Sequence, residues 1–222
     1  MTASTQIQKI LKKPNAVQQA QLLTTALLDE NKRRHAFYEW VDEKMKAEFI
    51  NGEIVIHSPV KIEHWRTSGL LNRLLSVYAG IKKLGETGVE KVMISLTRND
   101  YEPDIVFFKK GKADTFTAGQ VLFPAPDFVV EILSKKTAAT DRTTKKEDYA
   151  AHGIGEYWII DTQKQTIEQY LLLSETDTSY FQPYIHRIGD DISSRVIEGF
   201  TIPVEAVFDE AVNLKILTQF IQ

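Results

Sequence analysis

The sequence predicts an α/β domain of the α+β kind, in which a mixed β-sheet is flanked by helices. Segments with the apolar pattern of strands alternate with segments of helical periodicity along most of the chain. The apolar segments 103–108 and 125–134 follow one another closely and suit a hairpin-like pair of strands. A helical stretch separates 125–134 from 157–161, which suits a right-handed crossover between parallel strands. Helices are then expected to cover the faces of this mixed sheet.

Length and composition limit the classes of protein and of site. The 222 residues are enough for one domain with extensions, and 43% hydrophobic and 26% charged residues are typical of globular proteins. The formal net charge of −3 means that any nucleic-acid contact needs local basic patches. The absence of cysteine excludes disulfides, thiolate zinc sites and cysteine nucleophiles. Residues 1–6 lack a secretory pattern and no apolar run could span a membrane, so we expect a soluble cytoplasmic protein.

The chain divides into three predicted regions. Residues 1–34 are expected to form an N-terminal helical extension, residues 35–210 the main domain, and residues 211–222 a helical tail. In the extension, apolar residues recur with helical spacing on both sides of Pro14, which separates two helices. Residues 37–41 then predict a further short helix.

The main domain begins with a predicted β-hairpin and a long helix. Residues 46–56 contain Asn51-Gly52, a pair that suits a type I′ turn because both residues tolerate positive φ. Residues 62–84 have a broad apolar helical face, and His64 lies in the first turn. The later segments predict, in order, a strand at 89–96, a turn at 99–100, a strand at 103–108, a loop at 109–112, a buried strand at 125–134, a helix from Thr140 or Asp141 to about His152, a strand at 157–161, its partner at 166–172, an edge strand at 179–185 and an apolar closing segment at 199–208.

Two carboxylates occupy corresponding places in the strands 103–108 and 125–134. Glu131 interrupts a continuous apolar run, and a buried carboxylate needs a compensating cation, a metal or a raised pKa. Asp104 stands at the start of the preceding strand. Together they would suit hard Mg²⁺ or Mn²⁺, which favour carboxylate oxygens. A purely structural ion pair for Glu131, and a turn or cap for Asp104, stay open as alternatives.

Further candidates surround this pair of acids. Glu48 in the hairpin either completes the acid cluster or faces solvent. Lys145 would supply the positive charge that hydrolysis requires near a developing anionic charge, if its helix face turns toward the strand ends. Asp141, Lys145 and Tyr149 recur every four residues and share that face. A solvated lysine is the alternative. His64 could contact a phosphate from the helix N-terminus, or could be a surface or capping histidine.

The same motifs resemble a known family. They are Ala47-Glu48-Phe49-Ile50-Asn51-Gly52-Glu53, Ser58-Pro59 with His64, Pro103-Asp104-Ile105-Val106, Pro126 to Ser134 around Glu131, Asp141 with Lys145 and Tyr149, and Gly153 to Asp161. In this order and spacing, the segment from about 36 to 208 resembles the Uma-two-type family of restriction-endonuclease-like proteins, within the PD-(D/E)XK nuclease superfamily.

The resemblance implies a restriction-endonuclease-like fold and metal-dependent hydrolysis of phosphodiesters. Asp104 and Glu131 become the ligands of Mg²⁺ or Mn²⁺, and Glu48 an accessory acid. The superfamily pattern places a lysine two residues after the second acid, where this chain has Leu133. The resemblance implies that Lys145 replaces that lysine, so that Glu48, Asp104, Glu131 and Lys145 would form the catalytic set.

The leading interpretation is therefore a Mg²⁺- or Mn²⁺-dependent DNA endonuclease. The leucine-rich segment at 20–28 could form the interface of a homodimer. A non-catalytic binding or assembly protein with the nuclease fold is the alternative, which Leu133 and the acidic composition favour. Local basic residues are expected to contact the phosphate backbone. They are Lys109, Lys110, Lys112, Lys135, Lys136 and Arg142.

Overall fold

The computed structural model of the chain describes residues 3–42 and 44–222. The helices are α1 (Ala3–Leu11), α2 (Ala16–Trp40), α3 (Ile62–Lys82), α4 (Lys110–Ala113), α5 (Ala138–Thr140), α6 (Lys146–Ala151) and α7 (Glu210–Ile221), with a π-helical turn at Asp141–Lys145 and a 3₁₀ turn at Val204–Val207. The strands are β1 (Ala47–Ile50), β2 (Glu53–Ile56), β3 (Gly85–Val89), β4 (Met93–Ser95), β5 (Asp100–Tyr101), β6 (Ile105–Lys109), β7 (Leu122–Phe123), β8 (Phe128–Ile132), β9 (Glu156–Asp161), β10 (Thr166–Leu171), β11 (Tyr184–Arg187), β12 (Asp191–Ser193) and β13 (Thr201–Pro203).

A mixed six-stranded sheet forms the centre of the fold, in the order β11-β10-β9-β8-β6-β3. Strand β8 pairs antiparallel with β6 and parallel with β9, as predicted from the short connection and from the helical crossover. Strand β10 returns antiparallel beside β9. The predicted α/β class with a mixed sheet flanked by helices is therefore confirmed.

Both faces of this sheet are buried, because consecutive side chains of β8 and β9 enter two different apolar clusters. On one face, Val130 and Trp158 pack against α3 and α7, while on the other face Val129 and Tyr157 pack against Tyr149 of α6. This two-sided burial explains why the sequence around Glu131 is a continuous apolar run rather than an alternating one.

The predicted hairpin lies in a second sheet, ordered β2-β1-β5-β4-β7. Its turn residues Asn51 and Gly52 have φ of 52° and 86°, the positive values that a type I′ turn requires. The segment 89–96, predicted as one strand, is divided between the two sheets, so that prediction is wrong. The chain turns at Glu90, whose φ is 61°, between β3 and β4. Gly85 and Gly88 weaken the strand pattern of β3 in the sequence.

The two helices predicted on either side of Pro14 are present as α1 and α2, but residues 37–41 do not form the separate short helix that was predicted. Helix α2 continues through residues 37–40 because no glycine or proline interrupts residues 16–40. The proposed boundary at residue 34 therefore lies inside α2. Towards its C-terminal end α2 is anchored by Glu30, Arg34 and Phe37, whereas Leu22 and Leu23 are exposed. None of the described helices is long and apolar enough to cross a membrane.

Smaller corrections concern connecting segments. Lys110–Ala113 form one helical turn instead of a loop, and Asp100–Tyr101 form a short strand instead of a turn. The edge strand is at Tyr184–Arg187, later than predicted, and the crossover helix begins at Ala138. The hairpin, the long helix α3, the pair β9–β10 and the C-terminal helix are as predicted.

Gly85 provides a test of the pairing between β3 and β6. It has φ of +155°, and a Cβ atom there would lie 2.0 Å from the carbonyl oxygen of Phe108. Because that neighbour is backbone and cannot rotate away, we expect Gly85→Ala to lower the free energy of unfolding by about 3 kcal/mol. Urea denaturation measures this. The matched control is Gly111→Ala in helix α4, where no atom approaches within 4 Å, and equal midpoints for both variants would contradict the assigned pairing.

Candidate active site

Asp104 and Glu131 face each other across neighbouring strands. The antiparallel register pairs Ile105 with Val130, which places Asp104 opposite Glu131 one position further along. Residues opposite each other in such a pair share a face, so both side chains lie on the face that Tyr149 covers. The two carboxyl groups are buried, and Asp104 Oδ2 accepts a hydrogen bond of 2.8 Å from the backbone N–H of Ile132.

Lys145 joins the acids from the helical crossover. Its Nζ donates to Glu131 Oε1 and to Glu48 Oε1, each at 2.9 Å, and lies 3.8 Å from Asp141 Oδ1. Asp141 and Lys145 delimit the π-helical turn, and such turns are frequent at functional sites. The side chain of Lys145 is 2% exposed, so the alternative of a solvated helical lysine is excluded.

Glu48 extends from β1 into the same cluster, and its alternative of facing solvent is excluded too. Glu48 Oε1 accepts a hydrogen bond from the backbone N–H of Glu102, and Oε2 lies 2.9 Å from His57 Nε2. Burial alone would raise the pKa of Glu48, but the charge of Lys145 and the contact with His57 outweigh it and lower that pKa to about 2. Glu48 is therefore an ionised carboxylate.

The pKa of Glu131 is shifted in the opposite direction to that of Glu48. Burial raises its pKa to about 8, since the charges of Asp141, Asp104 and Glu48 add to the effect and Lys145 offsets only part of it. Tyr149 donates its hydroxyl hydrogen to Glu131 Oε1 at 3.0 Å. Burial tends to lower the pKa of Lys145, but the surrounding carboxylates raise it well above the usual lysine value. Lys145 is therefore a cation at neutral pH and cannot serve as a general base.

Asp104 has its own basic partners, one of which sequence reasoning missed. Lys46 Nζ lies 2.9 Å from Asp104 Oδ1, and His64 Nε2 lies 3.2 Å from the same oxygen. Burial opposes ionisation of Asp104, but His64 and Lys46 hold its pKa well below the usual range. His64 Nε2 is buried and makes no hydrogen bond of good geometry within the described chain.

Lys46 and His57 were identifiable from the hairpin pattern. They stand opposite each other, since the backbone N–H of His57 donates to the carbonyl oxygen of Lys46. Lys46 and Glu48 alternate with apolar residues and therefore share a face of β1. If the side chain of Glu48 points toward the acid cluster, the side chain of Lys46 is expected to point the same way.

The donor set fits a hard divalent cation. Four buried carboxyl groups, Glu48, Asp104, Glu131 and Asp141, accompany two ammonium groups, Lys46 and Lys145. Full ionisation would give this cluster a formal charge of −2, and the raised pKa of Glu131 reflects the cost of that charge. Asp141 Oδ1 is buried and makes no hydrogen bond within the described residues. A hard divalent cation such as Mg²⁺ or Mn²⁺, which favours carboxylate oxygens, would offset this charge in place of a proton.

Within the described residues, three side chains that could bind a metal ion lie close together, and only one of them belongs to the predicted pair Asp104 and Glu131. His64, Glu90 and Asp104 can bring one ligand atom each within 4.8 Å of one another. Lys46 also contacts this group, at 3.5 Å from Glu90 Oε2. Asp104 thus belongs both to the cluster around Lys145 and to this second group.

The basic residues expected at a nucleic-acid surface are partly neutralised. Lys110 pairs with Asp114, Lys112 with Asp127, and Arg142 with Glu168. Lys135 and Lys136 are exposed in the turn after β8, close in sequence to Glu131. Two shallow clefts, one beside Arg187 and one beside Glu175, contain none of the clustered acids.

Known proteins resemble this chain in sequence and in fold. The Uma2 family, described as "Putative restriction endonuclease", matches residues 34–205. A similar solved structure is described as "a putative nuclease belonging to DUF820" from Anabaena variabilis ATCC 29413; the TM-score is 0.66 at 17% identity, over 78% of this chain and 94% of that chain. Such low identity indicates a shared fold and nothing more. A search among curated proteins found no match. The resemblance identified from the sequence is thereby confirmed.

Proposed function

The chain belongs to the Uma2 family, and from that membership we propose that it is a divalent-metal-dependent endonuclease that hydrolyses phosphodiester bonds of DNA. The observation that supports this most is the position of Lys145. Its ammonium group contacts both Glu48 and Glu131 at 2.9 Å, beside the strand pair that holds Asp104. A helix residue thus supplies the cation that the superfamily pattern places at the position of Leu133.

Each clustered residue has a role in this proposal. Asp104 and Glu131 would hold the Mg²⁺ or Mn²⁺ ion, which would supply Lewis-acid activation of the phosphodiester and of the attacking water. Glu48 keeps Lys145 in place through their direct contact. Lys145, being protonated, donates hydrogen bonds to the attacking water or to the phosphate oxygens as negative charge develops on them. Tyr149 orients Glu131 through its hydroxyl group.

The closed site also favours a second candidate function, a binding or assembly protein that keeps the nuclease fold. Glu48, Lys145 and Glu131 are almost fully buried, so substrate contact by Lys145 requires the surrounding side chains to move. The net charge of −3 gives no general attraction to DNA. A homodimer through residues 20–28 stays a prediction, and the exposed leucines there are compatible with it.

A calorimetric titration separates the two candidates through metal binding. We expect the protein to bind Mn²⁺ and Glu131→Gln to bind it about 100-fold more weakly, because an amide of nearly the same volume cannot supply the carboxylate that Glu131 offers once the ion displaces its proton. The matched control is Glu53→Gln, a change at an exposed position of β2. Equal affinities of wild type and Glu131→Gln would contradict the assigned ligand, and absence of binding would support the scaffold.

The endonuclease activity is then tested by measuring how fast supercoiled plasmid DNA is converted to the relaxed, nicked form. Nicking by the wild-type protein in Mn²⁺, suppressed by EDTA, supports the endonuclease. Metal binding without nicking over a range of metal and protein concentrations supports the non-catalytic candidate instead.

A further inference from the structure

The segment His57–Arg66, here called the mouth segment, contacts acids of the candidate site through two histidines, one at its start and one near its end. His57 Nε2 lies 2.9 Å from Glu48 Oε2, and His64 Nε2 lies 3.2 Å from Asp104 Oδ1. The six intervening residues can extend only about 3.5 Å each, so they cannot reach far from these two contacts. The mouth segment therefore borders the site.

Large apolar side chains of the mouth segment are exposed. Trp65 follows His64 directly in the first turn of α3, and its Cα atom is therefore about 3.8 Å from that of His64. Trp65 is 62% exposed, in contrast to the fully buried Trp158. Val60 and Ile62 are about half exposed. An exposed apolar patch beside a charged site is typical of a binding surface rather than of a structural core.

The charges around the patch favour a negatively charged ligand. Lys61 and Arg66 are both exposed on either side of Trp65, and Glu63 is the one acidic residue in the mouth segment. A ligand that combines an apolar, flat group with a phosphate nearby matches an exposed indole that has two exposed cations close to it along the chain. A nucleotide has this composition, with its base for Trp65 and its phosphates for Lys61 and Arg66.

We infer that Trp65 is a stacking platform for an unpaired nucleobase next to the phosphate that occupies the acid cluster, so that the preferred substrate is single-stranded DNA or DNA with unpaired bases. The inference rests on the proposed endonuclease function. In a duplex each base face is covered by its neighbours, and only base edges are accessible from the grooves. An exposed indole can stack only on a base that has left the duplex stack.

Fluorescence anisotropy tests this with a labelled 16-nucleotide DNA strand and with the duplex of the same sequence, both in Ca²⁺. Trp65→Leu keeps apolar bulk but removes the aromatic face, and it is expected to weaken single-strand binding by about 5- to 150-fold. Duplex binding should change by less than about threefold. Trp65→Phe should stay within about fivefold of wild type on the single strand. Phe181→Ala removes another exposed aromatic side chain, in the segment before β11, and should change neither affinity.

Each outcome decides the matter. Selective loss of single-strand affinity in Trp65→Leu, with recovery in Trp65→Phe, supports the stacking platform. Unchanged binding by Trp65→Leu, or equal loss on both DNA forms, overturns it while the endonuclease function stands on the nicking assay. Failure of the wild-type protein to bind either DNA form overturns both this inference and the proposed function.

Discussion

Lys145→Met is expected to lower the rate of plasmid nicking in Mn²⁺ by about 100- to 1000-fold, the usual effect of removing a donor that stabilises developing negative charge. Methionine has nearly the length of lysine and fills the same buried space without the ammonium group. Two carboxylates, those of Glu48 and Glu131, then lose the cation that lies 2.9 Å from each. Lys46 remains as a positive charge of the cluster, together with a divalent metal ion if one binds as proposed.

The interpretation of this variant requires that it still folds. Removing one partner of a buried charge cluster costs about 3–5 kcal/mol when the remaining charge stays ionised. The raised pKa of Glu131, about 8, allows that carboxyl group to take up a proton instead. We therefore expect Lys145→Met to be folded but less stable, with a thermal midpoint that Glu131→Gln raises in the double variant.

Asp104→Asn provides the comparison that separates a loss of charge stabilisation from a loss of metal. It should abolish nicking and weaken Mn²⁺ binding, whereas Lys145→Met should reduce nicking and leave Mn²⁺ bound. Nicking at the wild-type rate by both variants would identify a contaminating nuclease. Nicking at the wild-type rate by Lys145→Met alone would exclude Lys145 from the catalytic set.

The contact between Lys145 and the acids illustrates what local sequence pattern can and cannot predict. The four-residue spacing of Asp141, Lys145 and Tyr149 predicted a common face, and strand order predicted that Asp104 and Glu131 meet. Both expectations agree with the distances and the register. The π-helical turn was not predictable, because no residue type determines it.

The long-range contacts of Asp100 show the limit more clearly. In the sequence, Asn99-Asp100 is a common turn pair, and nothing nearby indicates a partner. In the structure Asp100 is fully buried and pairs with Arg34, 66 residues earlier in the chain. A single sequence contains no local signal for such a pair, since the two residues lie in different predicted regions.

The ion pair between Arg34 and Asp100 attaches helix α2 to the second sheet. Arg34 Nε donates to Asp100 Oδ2 and Arg34 Nη2 to Oδ1, each at 2.6 Å. The guanidinium also donates to the carbonyl oxygens of Leu96, Thr97 and Asn99. Arg34 therefore binds the whole turn that precedes Asp100, and this turn leads to Asp104 four residues later.

Arg34→Met is expected to lower the free energy of unfolding by about 3–5 kcal/mol, because the buried carboxylate of Asp100 loses its cation and keeps only the hydroxyl of Tyr38 as a side-chain donor. The carbonyl oxygens of Leu96 and Thr97 also lose their contact with the guanidinium. Arg34→Lys should recover little of this, since a lysine ammonium cannot reproduce the two-pronged contact. Urea denaturation measures both. The matched control is Lys32→Met on the exposed side of α2, where loss of the pair with Asp29 should produce no measurable change.

The same variant tests whether the fold of the domain depends on α2. If residues 1–34 were a separable extension, Arg34→Met would unfold with the wild-type midpoint, and the candidate site would keep its Mn²⁺ affinity. We expect instead that Arg34→Met unfolds at a lower urea concentration than the wild-type protein. We also expect weaker Mn²⁺ binding near the unfolding transition, because the segment between Asp100 and Asp104 loses its anchor before the six-stranded sheet does. An unchanged midpoint would show that the pair of Arg34 with Asp100 is not what anchors α2 to the second sheet.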